Sequence, residues 1–141
     1  MNIKPDRMRK IVTHTTLPES SWVGDRLTVV LRVPPIALRP NGQHGHWQQI
    51  RKAKQIAKGT AAFTTRMLLK GQPAPAAVGY TLVYYFHSRM WDDDNAIASC
   101  KAYLDGISEA MGIDDGHLRF RELVRNVDRK CPRVEIVMHL K

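Results

Sequence analysis

Cysteine is scarce in this chain. Cys100 and Cys131 are the only two, and neither sits in a CxxC pair. That leaves no disulfide framework and no zinc-finger spacing. Long apolar runs are also missing, and none approaches the ~20 residues that cross a bilayer as a helix. The opening segment, MNIKPDRMRKIVTHTT, is basic but has no continuous apolar stretch of the signal-peptide kind, so a cytoplasmic location is expected. The sequence has no glycine-rich phosphate loop, no Ser-His-Asp arrangement with a supporting motif, no internal repeat and no low-complexity block. Acids are few: 13 Asp and Glu stand against 22 Lys and Arg, a formal net charge of +9. Such a surface attracts polyanions, and nucleic acid is the commonest one in a cytosol.

At 141 residues and 43% hydrophobic content, the chain is long enough for one domain with its own core. Residues 1–24 show no periodicity and read as a loosely packed N-terminal arm, with the domain proper at 25–141. Leu27, Val29, Leu31 and Val33 alternate with more polar neighbours, so a strand is expected from Arg26 to the prolines Pro34 and Pro35. A Pro-, Gly- and His-rich loop leads to a basic helix from Trp47 to about Gly71, with Ile50, Ala53, Ala57, Ala61 and Met67 as its apolar stripe. Ala76 to His87, apolar on both faces, reads as a central strand covered on both sides. A second helix is expected from Asn95 to Met111, closed by Gly112 as a C-cap. Its apolar stripe is Ile97, Cys100, Leu104, Ile107 and Met111, which makes Cys100 a small core hydrophobe. Strands at Leu118–Val127 and Arg133–Leu140 close the chain, with DRKCP between them as a hairpin loop. The expected fold is α/β (α+β): a mixed four-stranded sheet with two main helices, in the order β-α-β-α-β-β.

The stretch MWDDDNAIASCKAYLDG, Met90 to Gly106, concentrates negative charge in an otherwise basic chain. Asp94 stands where an N-cap belongs. Capping accounts for one acid and leaves three adjacent carboxylates repelling one another unless a cation lies between them. Hard divalent cations such as Mg²⁺ choose carboxylate oxygens. In extended backbone before a helix, Asp92 and Asp94 point the same way and Asp93 the other, so Asp92 and Asp94 could share an ion. On a helical wheel Asp94, Lys101 and Asp105 share a face, and a lysine leaning toward the N-terminus would partly close the two-turn gap to Asp94. A second pair, Asp114 and Asp115, follows the helix. Carboxylates holding a metal beside a lysine suit phosphodiester cleavage: the metal polarises the phosphate and activates water, and the lysine stabilises the developing charge.

At these residues the sequence resembles the RusA-like Holliday junction resolvases, small endodeoxyribonucleases often carried by phages and prophages. Their mark is an acid, any residue, an acid and Asn opening a helix, then a lysine, an Asp-Gly or Asp-Ala, and a DD pair. Here these are Asp92, Asp94 and Asn95, then Lys101, the LDG of Leu104 to Gly106, and Asp114-Asp115. The resemblance extends over roughly residues 26–141. It implies a homodimeric mixed α/β domain that nicks four-way DNA in pairs in recombination and repair, with Mg²⁺, or Mn²⁺ in its place, as cofactor. By position it implies Asp92, Asp94 and Asp115 (Asp114 as the alternative) as metal ligands and Lys101 as the catalytic lysine. Arg89 would stand in for an arginine common just before the first acid.

Candidate DNA-binding residues are Arg39, His44 and His46 around the first loop, and Arg51, Lys52, Lys54 and Lys58 on the basic helix. Arg89 joins them, as do Arg119, Arg121 and Arg125 on one face of the third strand. His87, near the acids, reads as structural. The rival reading is a non-catalytic DNA-binding regulator of the same fold, and a DxD-dependent sugar transferase is a weaker third. Three acids near phosphate are of no use to a pure binder, which favours the nuclease.

Overall fold

The structure, a computed structural model, describes residues 16–39, 46–88 and 91–141, the Asp115 side chain apart. It is a mixed α+β fold. The strands are β1 (Ser21–Val23), β2 (Arg26–Leu31), β3 (Ala77–Phe86), β4 (Arg119–Val127) and β5 (Arg133–Leu140). Among the described residues the helices are α1 (Trp47–Leu69), α2 (Asp93–Ser99) and α3 (Lys101–Met111). The strands form one five-stranded sheet in the order β1-β2-β5-β3-β4, antiparallel except for the parallel β3–β4 pair.

Three expectations change. The sheet has five strands, not four, because Ser21–Val23, expected within the arm, pairs with β2. The turn is Gly24-Asp25, and Gly24 takes the positive φ of 59° that such a tight hairpin requires. The single helix expected at Asn95–Met111 is two segments that meet at Cys100. There the Cys100 N–H bonds back only three residues to Ile97, and the Ser99 hydroxyl donates to the Ala96 carbonyl (2.8 Å), competing with the helical pattern. Finally, β4 and β5 are not a hairpin. The α2–α3 crossover returns the chain parallel to β3, and β3 lies between β4 and β5. The DRKCP loop is a crossing held by Asp128, whose carboxylate accepts from the Lys130 and Cys131 N–H groups and from Arg133. Those donors, the Cys131 N–H foremost, hold the Asp128 carboxyl below its usual range.

One sheet face carries Leu27, Val29, Leu82, Tyr84, Ile136 and Met138, all buried in a single core with Ala57 and Ala61 of α1 and Ile107 of α3. Each such aliphatic side chain contributes about 1.5–3 kcal/mol on burial. The stripe Ile97, Cys100, Leu104, Ile107 and Met111 faces this core as expected, with Ile97 at its edge. On α1 the stripe is Ala57, Ala61, Thr65 and Leu69, and Met67 faces outward, because residues four apart stay in line on a helix while Met67 falls out of that row. β3 is interior, but its second face is not a packed core. Val83 is half-buried there, and Tyr85 lies beneath the Arg133 guanidinium, 3.7 Å from the ring centre. α3 ends as expected at Gly112 (φ 67°). No helix among the described residues is long and apolar enough to cross a membrane.

Candidate functional site

The acids gather at the start of α2, two residues earlier than the sequence suggests. Asp92 occupies the N-cap position and Asp93 and Asp94 the first turn, so the extended alternation expected of Asp92 and Asp94 does not apply. The helix starts early because carboxylates favour its positive end. Asp92 makes no side-chain capping bond. Asp93 is taken up by Arg125 of β4: Nη1 donates to Asp93 Oδ1 (2.8 Å) and Nη2 to the Trp91 carbonyl (2.8 Å). Asp92 and Asp94 are exposed, and neither carboxylate has a hydrogen bond or ion pair among the described residues. The arginine therefore pins the middle acid and leaves the outer two to solvent.

Trp91 anchors this corner. It packs beside Tyr84 and Phe86, and the Arg39 guanidinium sits 3.5 Å from its ring centre. Burial pulls Arg39 below its ordinary pKa, and its buried Nε has no hydrogen-bond partner among the described residues.

Lys101 opens α3, and its Nζ pairs with Asp105 Oδ1 at 2.9 Å. Among the described residues Lys101 forms no ion pair with Asp94. The break at Cys100 interrupts the single-helix register on which the shared face rested, and Asp105, four residues on, leans back to meet the lysine. The LDG motif divides accordingly: Leu104 is core, Asp105 holds Lys101, and Gly106 lies where α3 crosses α1. Asp114 Oδ1 accepts from the Gly116 N–H (3.0 Å), and its Oδ2 lies 3.7 Å from His117. The Asp115 side chain, His44 and Arg89 lie outside the described residues, as do residues 1–15 of the expected arm. Among the described residues no group of three or more His, Cys, Asp and Glu side chains could share a metal ion.

The basic residues separate into two sets. α1 carries five cations and no acid, and three of the cations, Arg51, Lys52 and Lys54, fall within its first eight residues. Arg51, Lys52, Lys54 and Lys58 are exposed, and His46 stands at the N-cap. On β4 the expected row of arginines is split. The register slips between Tyr80 and Thr81, so Arg119 pairs with Gly79 but Arg125 pairs with Tyr84. One extra residue in β4 moves Arg125 to the helix-covered face, where it reaches Asp93.

Lys54, Lys58, Lys101, Asp105 and Arg39 also surround a cleft of about 680 Å³ between α1, the α2–α3 joint and the sheet. Its apolar lining includes Leu38, Ile50, Leu82, Ile97 and Leu104. Sequence reading missed this cleft, since its walls come from four separate segments. It also missed the Asp93–Arg125 clamp, for which an acid-rich helix start opposite a strand arginine was the available signal. Cys100, in the cleft wall, is only 2% exposed, and burial pushes its thiol up to about 12. His87 is exposed and contacts Ser88.

The fold thus presents an acidic helix start beside a cationic, apolar-lined cleft. No protein-family model matches the chain. An uncharacterized protein of Xylella fastidiosa (strain Temecula1 / ATCC 700964) is 30% identical over 115 residues, covering 79% of this chain and 74% of that protein. The chain belongs to the same family as that Xylella protein. Among solved structures, thiamine monophosphate kinase from Aquifex aeolicus aligns with a TM-score of 0.34 and 10% identity. The alignment covers 96% of this chain, which spans 41% of the kinase chain.

Proposed function

We propose that this protein is a Mg²⁺-dependent, structure-selective DNA endonuclease of the RusA-like kind, acting as a homodimer that resolves Holliday junctions by paired cleavage. The observation that carries the reading is the division of the acid triplet. Asp93 is neutralised by Arg125, while Asp92 and Asp94 keep exposed carboxylates with no partner among the described residues, in a chain of net charge +9. A protein that only bound DNA would be penalised by two uncompensated acids near phosphate.

The donors suit the metal. Mg²⁺ keeps several waters and commonly takes one or two carboxylates plus substrate phosphate oxygens. Asp92 and Asp94 would hold it, with Asp115 as the third acid by position. When bound, the ion would polarise the scissile phosphate and supply a water of lowered pKa. The chain's own residues do the rest. Arg51, Lys52, Lys54 and Lys58 bind backbone phosphates, and the Arg125 clamp fixes the helix start that presents the acids. Lys101 stabilises charge on the phosphate once substrate draws it from Asp105. Two copies supply the two active sites that symmetric nicking needs.

The test is cleavage of synthetic four-way and linear duplex DNA with and without Mg²⁺, beside Asp94→Asn. The expected result is junction-selective, metal-dependent nicking that falls at least about 100-fold in the variant. Junction binding without cleavage, across several sequences and with both Mg²⁺ and Mn²⁺, would leave a DNA-binding regulator as the correct reading.

A further inference from the structure

The cleft beside α1 has an apolar lining that the cleavage chemistry does not use. A volume of about 680 Å³ falls within the range of small-ligand sites. Its apolar lining is mostly aliphatic, and Tyr80 adds an aromatic ring. Four cations, Arg39, Lys54, Lys58 and Lys101, line it with one acid, Asp105; Lys58 also pairs with Glu109 at 3.3 Å and Lys101 with Asp105 at 2.9 Å. The buried Arg39 Nε is a donor that has no acceptor among the described residues. An apolar slot with a positive rim complements a flat, weakly polar body attached to an anion. Small residues on the α2–α3 joint, Ala98 and Ala102, leave the slot open.

We infer that this cleft receives an unstacked nucleotide of the DNA substrate, with the base in the slot and its phosphate on the lysine rim. The inference rests on the nuclease reading, since it places the occupant in DNA. Bases at a branch point are the cheapest in a duplex to unstack, and stacking on an aromatic ring beside cations is a general way to hold a single-stranded base. A nucleotide held there would fix the branch point relative to Asp92 and Asp94, a direct source of structure selectivity.

The probe is 2-aminopurine, first as its deoxyriboside 5′-monophosphate and then placed at the branch point of a four-way junction, with the full chain and no divalent metal. The monophosphate is expected to bind with a Kd of about 0.1–1 mM, a fragment-level affinity. The nucleoside lacking phosphate should bind at least about 10-fold more weakly, because the lysine rim then has no anion to hold. Ala98→Trp fills the slot from an exposed position and should weaken the monophosphate at least about 10-fold, for loss of space alone. Lys54→Glu covers the case in which Ala98→Trp fails to fold; it should weaken the monophosphate and leave the nucleoside unchanged. In the junction, fluorescence should change when the probe is at the branch point and not ten base pairs along an arm, and Ala98→Trp should abolish the change. No binding at 10 mM, or equal binding by a folded Ala98→Trp, overturns the inference. So does a response to the free nucleotide alone, with none in the junction. Asp94→Asn separates the two readings: nucleotide binding kept while every form fails to cleave sinks only the nuclease, and cleavage kept without probe binding sinks only the cleft.

Discussion

Gly106 and Gly59 are both helical glycines, and the structure assigns their replacement by alanine opposite signs. A Cβ on Gly106 would run into the Lys58 carbonyl oxygen and stand 3.0 Å from the Ala62 nitrogen. Those atoms belong to the α1 backbone, so relief requires α1 and α3 to move apart along an interface that also carries the Lys58–Glu109 ion pair. Overpacking of this kind costs about 1–3 kcal/mol, offset by the ~0.5–1 kcal/mol that alanine gains over glycine in a helix. Gly106→Ala should therefore be destabilised by about 1–2 kcal/mol, lowering Tm by roughly 3–7 °C for a chain of this size. Gly59 has nothing within 4 Å of the same hypothetical atom. Gly59→Ala retains only the propensity gain and should be stabilised by ~0.5–1 kcal/mol. Urea unfolding followed by far-UV circular dichroism gives both numbers. A Gly106→Ala variant as stable as the parent or more so would show that α1 and α3 do not cross at this glycine.

His139 lies within hydrogen-bonding distance of Thr81 (2.8 Å), with Arg121 and Arg26 nearby and Asp25 and Glu122 opposing them. Burial first, then the two arginines, lower its pKa, so the unfolded chain binds the proton more readily. Its contribution is full above the unfolded value of about 6.5 and is lost as pH falls below it; His139→Gln should flatten that fall in urea midpoints between pH 7.5 and 5. Cys100 should resist a thiol reagent in the native state while the half-buried Cys131 reacts, giving one labelled thiol per chain by mass spectrometry and two after unfolding. On the nuclease reading, Asp93→Asn should keep junction cleavage within about 3-fold of the parent, whereas Asp92→Asn should lose at least about 100-fold; comparable losses in both would mean that Arg125 does not set Asp93 apart from its neighbours.

How much of the fold the sequence disclosed depended on how local each signal was. The strands at β2, β3, β4 and β5 were legible because alternation or β-rich runs are properties of single segments. Their neighbours were not. DRKCP looks like a hairpin loop, and only the pairing of β4 with β3 shows otherwise. β1 was overlooked because three residues are too few for a period, although Gly24-Asp25 was a turn signal in plain view. Met67 is expected in the apolar stripe of the basic helix, with Ala57 and Ala61. It is 62% exposed, while the polar Thr65 is buried by bonding its hydroxyl to the Ala61 carbonyl (2.8 Å).

The candidate site follows the same division. That the acids begin a helix could be read from their order; which of them stays available could not, because Arg125 decides it from 32 residues away. Arg125 reaches Asp93 only because β4 carries an extra residue, and that slip is a property of the β3–β4 pairing. The split of the arginine row and the selection of Asp92 and Asp94 are thus one event. Removing the bulge would return Arg125 to the face of Arg119, leave Asp93 unpaired and place three uncompensated carboxylates at the start of α2. The irregularity in an edge strand, far from the acids in sequence, sets the charge pattern that any cation or phosphate at that helix start would meet.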